Sequence, residues 1–224
     1  MAAGQDSQAI LFDESVEPCR RTEALLEVLL QICGQDHEAQ CLLLCEKSEL
    51  HSSDFAEILR LRQDSDDAEA LRRIHIKYLQ SPQDSSELPP VLDVLIALQN
   101  LAFVPSVIAV LGLSELTLCR ARASTSSASD TAAFNARSAL LGHAAVDMQY
   151  FALAASLLVD SAAQAASLGG KRCLAFLWEG TEESRLGLIG SIFDATWSAS
   201  TPALKGESVP RTIQAQALFA SVLR

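Results

Sequence analysis

One histidine and two cysteines have the spacing of a metal site. His37, Cys41 and Cys45 are four residues apart, so a helix would present all three side chains on one face. Zinc accepts imidazole and thiolate ligands at such spacings. However, three leucines lie between the two cysteines, and structural zinc sites draw their ligands from two elements. The sequence therefore predicts buried core thiols at these positions and no bound metal.

A serine, a histidine and an aspartate provide the residue types of a hydrolytic triad. Ser138, His143 and Asp147 could act as nucleophile, base and orienting carboxylate. No strained turn holds the serine, and no neighbouring oxyanion site is visible in the sequence. The histidine lies between two predicted helices, which is an ordinary place for a structural side chain. We therefore predict no catalytic residue here.

Two further motifs resemble parts of ligand-binding loops. Asp64, Asp66 and Asp67 resemble the start of a calcium loop, but Ala68–Leu71 lacks its central glycine and remaining ligands. Gly187–Ser191 lacks the lysine of a phosphate-binding loop and follows no predicted strand. Helix capping by the aspartates and close helix contact at the glycines explain both motifs. The sequence predicts no cofactor.

The elements that must position these residues are predicted to be helices. Apolar residues make up 49% of the 224 residues and aromatic residues only 5%, so the core must be aliphatic. Alanine and leucine favour close helix packing, whereas a β-sandwich needs more valine, threonine and tyrosine. The predicted class is all-α.

Charge is distributed unevenly along the chain, whose formal net charge is −11. Residues 1–90 contain 18 acidic and 8 basic residues, a net of −10, and residues 91–224 contain 10 and 9, a net of −1. An acidic front half argues against binding a nucleic-acid backbone. It permits attraction to a basic protein or peptide, but the favoured interpretation is a solvated face that only keeps the chain soluble.

No membrane span or export signal is predicted. The most apolar stretch, Val91–Leu113, contains Asp93 and Pro105, and the acidic N-terminus does not resemble a signal peptide. Six cysteines in apolar surroundings without an export signal favour reduced thiols. We therefore expect a cytoplasmic protein, with a nuclear location as an alternative.

Domain organisation is predicted from helix caps and breaks. Residues 1–18 are a flexible tail, and residues 19–224 form a single domain with an acidic part (19–88), an Ala/Leu-rich part (89–224) and a mobile Ser-rich loop (121–135). Helix boundaries follow from Ser, Thr and Asp caps and from Gly and Pro stops. The main predicted helices are Thr22–Cys33, Asp36–Leu50, a helix carrying Leu71–Leu79, Val91–Phe103, Pro105–Gly112, Thr131–Leu141, Asp147–Val159, Ala162–Leu168, Lys171–Trp178, Thr181–Trp197 and Thr212–Leu223.

Two segments of the Ala/Leu-rich part are similar to each other. Leu98–Gly112 aligns with Ala155–Gly169 without a gap, at an offset of 57 residues. Removing the Ser-rich insertion of about 15 residues leaves a period of about 42, which is typical of helical repeats.

These segments resemble an armadillo repeat. Asp147–Leu158, continuing to Gly169–Gly170, has the acidic start, the alternating Ala and Leu, and the Gly-Gly end of such a repeat, and Ala97–Ala102 closing on Gly112 is similar. The resemblance implies a short right-handed solenoid of the armadillo or HEAT type, with Gly112 and Gly169 as equivalent hinges. Another all-α bundle is the alternative.

A solenoid binds its partners along one face and performs no bond chemistry. The resemblance therefore implies a non-enzymatic protein-interaction module, an adaptor or chaperone-like binder of a protein or peptide client. A structural subunit of a larger assembly or an oligomer is one alternative, and a small helical enzyme or metal-binding protein is another. The candidate partner-binding residues are Arg120, Arg122, Lys171, Arg172 and Trp178.

Overall fold

A parallel β-sheet covered by helices on both faces forms the centre of this protein. The computed structural model describes residues 8–13, 18–46, 59–62, 67–82, 88–117, 130–179, 192–193 and 195–198. The sheet has six strands: β1 Gln8–Asp13, β2 Cys41–Glu46, β3 Ile74–Leu79, β4 Val107–Leu111, β5 Leu174–Glu179 and β6 Ala195–Ser198. Their spatial order is β3-β2-β4-β5-β1-β6, and every pairing is parallel.

The central strands are short apolar runs because both of their faces are covered. In β4 all five residues are buried, and in β5 all six are buried. In β2 the side chains of Cys41, Leu43 and Cys45 join one core cluster, whereas Leu42 and Leu44 join the other. Parallel strands with helices on both sides have this continuous apolar pattern.

Within the described residues, the helices that cover the two faces of the sheet include α1 Pro18–Gln35, α2 Ala68–Leu71, α3 Pro90–Ile96 with its 3-10 continuation Ala97–Asn100, α4 Leu113–Thr117 and α5 Asp130–Gly169. Residues 59–62 are helical as well. Buried residues of α1 and α2 pack on one face, and those of α3, α4 and α5 pack on the other. From β1 through β3 the chain moves towards one edge of the sheet, and from β3 through β5 it moves back. Because crossovers between parallel strands are right-handed, this reversal of direction places the two sets of helices on opposite faces of the sheet.

Helix α5 packs closely against the sheet because its core side is built largely of alanine. It has 40 residues, which corresponds to about 60 Å. At the described side chains its buried positions recur every three or four residues: Phe151, Ala154, Ala155, Leu158, Ala162, Ala165 and Ala166. The Ser161 hydroxyl donates a hydrogen bond to the Leu95 carbonyl oxygen at 3.2 Å, which ties α5 to α3.

The predicted all-α solenoid is wrong, and so is the resemblance to armadillo and HEAT repeats. Gly112 follows strand β4, whereas Gly169 is the last residue of helix α5, so the two glycines are not equivalent hinges. The aligned segments share an apolar pattern only. One of them ends in a strand, and the other lies inside a long helix.

Five segments that were predicted to be helical are strands in whole or in part. They lie in the predicted helices Asp36–Leu50, Leu71–Leu79, Pro105–Gly112, Lys171–Trp178 and Thr181–Trp197, and they form β2, β3, β4, β5 and β6. A short continuous apolar run fits a buried strand as well as a buried helix. The β-branched residues of β4, Val107, Ile108 and Val110, favour the strand.

Other predictions agree with the structure in part. The helix predicted over Thr22–Cys33 lies within α1, and the three helices predicted between Thr131 and Leu168 form the single helix α5. Gln8–Asp13, predicted to belong to a flexible tail, is strand β1. Strands from both sides of residue 88 pair in the same sheet. Of the predicted Ser-rich loop, residues 121–129 lie outside the described residues, and residues 130–135 belong to α5.

Candidate functional site

Open parallel sheets most often bind ligands at the carboxyl ends of their strands. The favoured place is where two neighbouring strands send their connections to opposite faces. Here β2 and β4 are such neighbours, because β2 leads to α2 on one face and β4 leads to α4 on the other. The end of this crevice is formed by Glu46, the last residue of β2, and Gly112, which follows β4.

A buried carboxylate closes the start of α4 at this edge. Glu179 is the last residue of β5, and its side chain is 0% exposed. Its Oε2 accepts a hydrogen bond from the Ser114 N–H at 2.9 Å, and its Oε1 accepts one from the Ser114 hydroxyl at 2.7 Å. Backbone N–H groups in the first helical turn have no partner within the helix and attract negative charge. The chain thus fills with its own carboxylate the position where an anion could bind.

The turn before α4 requires glycine. Gly112 has a φ of +67°, and its N–H donates to the Trp178 carbonyl oxygen at 2.9 Å. A β-carbon at this position would lie 2.5 Å from Glu115 Oε2. That oxygen is itself 2.9 Å from the Ser114 hydroxyl oxygen. The carboxylates of Glu115 and Glu179 therefore converge on one hydroxyl group.

A second serine connects the ends of β2 and β3 to α4. Ser81 Oγ lies 2.7 Å from Glu46 Oε1 and 2.8 Å from the Glu115 carbonyl oxygen. We call Glu46, Ser81, Ser114, Glu115 and Glu179 the carboxyl-edge network. Its members are joined by hydrogen bonds. Among the described residues, no group of three His, Cys, Asp or Glu side chains could hold a metal ion.

The opposite, amino edge of the sheet contains a cleft of about 180 Å³. Ile32 and Ala39 form part of its wall, and Lys171 and Arg172 lie at its rim. The Lys171 ammonium pairs with the Glu38 carboxylate, and this hydrogen bond together with the negative charge raises the pKa of Lys171. Both groups are exposed, so the pair adds little to stability.

Three thiols are buried near the amino edge, Cys33 and Cys41 on the same face of the sheet as the cleft and Cys173 on the other face. Cys33 Sγ lies 3.5 Å from Cys41 Sγ, and both side chains are 0% exposed. The hydrogen bond from Cys41 lowers the pKa of Cys33, helped by the charge of Arg73, and the same bond together with burial raises the pKa of Cys41. Burial raises the pKa of Cys173 to about 12. The prediction that Cys41 and Cys45 are buried core thiols is confirmed.

Four aliphatic side chains are exposed on α3, on α5 and in the segment between Asn100 and β4. They are between 44% and 62% exposed: Ile96, Val104, Leu153 and Leu168. We call these four residues the α3–α5 surface. Between Val104 and Leu168 lies a narrow crevice of about 40 Å³ that is bordered by Phe103 and Gln164. Val104 and Leu168 thus lie together, and exposed aliphatic side chains that lie together mark interaction sites more often than isolated ones do.

Part of the same helix has the composition of a membrane span. Among the described residues, Met148–Gly169 is the one helical segment long and apolar enough to cross a membrane by length and composition. Its alanine-rich side packs on the sheet, as in core helices of the same composition. This finding alone is weak evidence for a span.

Of the predicted partner-binding residues, the three that the structure describes are not all brought together. Lys171 and Arg172 are exposed at the amino edge, whereas Trp178 is 3% exposed near the carboxyl end of β5. Four strand residues, about 13 Å, separate Leu174 at the cleft from Trp178. Arg120 and Arg122 lie outside the described residues.

The metal pattern is not formed, because its segment is not a helix. His37 is exposed in a turn, and Cys41 and Cys45 lie on strand β2. On a strand these two thiols share one face but are about 13 Å apart, which is too far for a common zinc ion.

The other candidate motifs lie wholly or partly outside the described residues. Asp67 accepts a hydrogen bond from Arg62 Nη1 at 2.8 Å, whereas Asp64, Asp66 and Gly187–Ser191 are not described. Ser138, His143 and Asp147 all fall within helix α5, and their side chains lie outside the described part.

Sequence reasoning missed the carboxyl-edge network. Its one signal was a carboxylate directly after a continuous apolar run, as Glu179 follows Leu174–Trp178. Such a residue lies at the carboxyl edge if the run is a parallel strand. It has no special meaning if the run is a helix.

Comparison with known proteins does not add a family to these observations. No protein-family model matches the chain, and no curated protein matches it.

Proposed function

We propose that this chain is a non-enzymatic protein-interaction domain that holds a protein partner against its α3–α5 surface. The exposure of Ile96, Val104, Leu153 and Leu168 carries this proposal, because burying such side chains on binding is the main source of affinity between proteins. The fold supplies a rigid support, since the other sides of α3 and α5 pack into the core.

The carboxyl-edge network favours a protein-binding role over a role in which this edge binds a phosphate-containing ligand. Glu179 occupies the start of α4, and Glu46 and Glu115 add negative charge at the same edge. A phosphate group placed there would be repelled by these carboxylates. The formal net charge of −11 also repels a phosphate group, at longer range.

The experiment compares capture of proteins from cell extract by three forms of the full chain. One is the unchanged chain, and one has Ile96→Ser, Leu153→Ser and Leu168→Ser. The third is a control in which three other exposed apolar residues are replaced, by Leu61→Ser, Tyr78→Ser and Leu88→Ser. We expect at least one protein to be recovered by the unchanged chain and the control and about tenfold less by the surface variant, a difference of about 1.4 kcal/mol.

The effect of salt distinguishes binding at the α3–α5 surface from the attraction of a basic partner by acidic residues, which the sequence indicated. Apolar burial is little affected by ionic strength, whereas attraction to a basic client is screened. We therefore expect capture to persist at raised salt. Identical recovery by all three forms, with their folds verified by circular dichroism, would refute the proposed role of the α3–α5 surface.

A further inference from the structure

We propose that Cys33 and Cys41 form a site of reversible oxidation, at which a hydroperoxide converts the two thiols into an intramolecular disulfide.

The two sulfur atoms are already in contact. Cys33 lies near the end of α1 and Cys41 is the first residue of β2, and their Sγ atoms are 3.5 Å apart. A disulfide requires about 2.05 Å, so the sulfurs must approach by about 1.5 Å. Residues 34–38, which follow Cys33, are exposed at the end of the helix and in a turn, so they can absorb a movement of this size.

The amino-edge cleft brings a small oxidant next to the pair, which is itself 0% exposed. Ile32 precedes Cys33, Ala39 lies two residues before Cys41, and both line the cleft of about 180 Å³. Cys33 Sγ is 3.8 Å from the Ala39 carbonyl oxygen, so this thiol lies directly behind the cleft wall. A water molecule takes about 30 Å³ in the liquid, and a hydroperoxide of a few heavy atoms therefore fits the cleft.

The surroundings distinguish the two thiols chemically. The hydrogen bond from Cys41 and the positive charge of Arg73 lower the pKa of Cys33, although burial opposes this change. Arg73 is held in place by its Nη1, which donates to the Asp36 carbonyl oxygen at 2.8 Å. Because the thiolate is the nucleophilic form, Cys33 is the attacking sulfur and Cys41 the resolving one.

Both steps balance. The Cys33 thiolate attacks one peroxide oxygen and the O–O bond breaks, which gives a sulfenic acid and an alkoxide or hydroxide. This anion takes up the proton that the Cys33 thiol released and becomes an alcohol or water. The Cys41 sulfur then attacks Cys33 Sγ, the S–O bond breaks, and hydroxide leaves as water with the Cys41 proton. Two thiols are oxidised and one peroxide is reduced. A thiol reductant reverses the change by exchange.

The test treats the folded full chain with hydrogen peroxide, alkylates the remaining thiols in denaturant, and maps the peptides after cleavage at glutamate. Cleavage after Glu27, Glu38 and Glu46 puts Cys33 in the peptide 28–38 and Cys41 in the peptide 39–46. We expect these two peptides to be joined, two hydrogens lighter than their sum, and separated again by dithiothreitol.

The variant Cys45→Ser is the matched control, because Cys45 is the other thiol in the peptide 39–46 and is equally buried on the same face of β2. It should retain the joined peptides, whereas Cys33→Ser and Cys41→Ser should each leave the remaining partner alkylated. If Cys33→Ser or Cys41→Ser fails to fold, the comparison of the unchanged chain with Cys45→Ser still decides the question.

Three results would overturn the proposal. One is complete alkylation of Cys33 and Cys41 after an exposure that fully oxidises glutathione. Another is loss of the joined peptides in Cys45→Ser. The third is sulfinic acid at Cys33 without any joined peptide.

Discussion

Gly112 shows how a single residue decides whether the carboxyl edge can form. Its φ of +67° is strained for any other residue, and a β-carbon would displace Glu115 Oε2 from its place beside Ser114. Gly170 has a similar φ of +61°, but its β-carbon would meet nothing within 4 Å.

Alanine substitutions at the two glycines therefore distinguish the cost of backbone strain from the cost of a steric clash. We expect Gly170→Ala to lower the free energy of unfolding by about 1 kcal/mol through strain alone. Gly112→Ala should lower it by about 2 kcal/mol, since the Glu115 side chain must also move away from the added β-carbon. Urea denaturation of both variants measures the difference. Equal losses would show that Glu115 moves away without cost.

At the scale of elements, α4 depends on a carboxylate that comes from a strand distant in sequence. The Ser114 N–H and hydroxyl both donate to Glu179 across 65 residues, so α4 and β5 are coupled at the edge of the sheet. Glu179 is fully buried, and removing the Ser114 hydroxyl would take one hydrogen-bond donor from its carboxyl group.

Ser114→Ala should consequently lower the free energy of unfolding by about 2 kcal/mol, the usual range for a hydrogen bond to a charged group. Ser156→Ala is the control, because that half-buried hydroxyl bonds only to the Ala152 carbonyl of its own helix at 3.0 Å. Alanine favours the helix there, so a change close to zero is expected. A Ser114→Ala variant as stable as the control would show that the hydroxyl does not stabilise the Glu179 carboxylate.

For the whole molecule, the buried thiols make stability depend on pH in the alkaline range. Burial raises the pKa of Cys173 from 9.0 to about 12, so the folded chain retains a proton that the unfolded chain loses. Stability from this group is complete below pH 9 and is lost as the pH rises towards 12.

Unfolding free energies measured with urea between pH 8 and pH 11 should therefore fall as the pH increases. A single thiol accounts for at most about 1.4 kcal/mol per pH unit. Cys173→Ala should flatten the slope by about that amount, whatever its effect on stability at pH 8. An unchanged slope in this variant would show that Cys173 ionises as readily in the folded chain as in the unfolded one.

By itself the sequence determined many of the residues that enter the core and the point where α5 ends. Leu25, Leu29, Cys41 and Cys45 are buried, as their apolar neighbours indicated, and α5 ends at Gly169, where the Gly-Gly pair predicted a break. These features follow from side-chain polarity and from the backbone freedom of glycine, and both are local properties.

Only the tertiary structure decided between helix and strand for the apolar runs. A run such as Val107–Leu111 contains no polar residue to reveal a period, so its strand pairing depends on β2 and β5, which are distant along the chain. The carboxyl-edge network follows from the same pairing. Glu179 reaches Ser114 because parallel strands bring their carboxyl ends to one edge, and no local pattern records that contact.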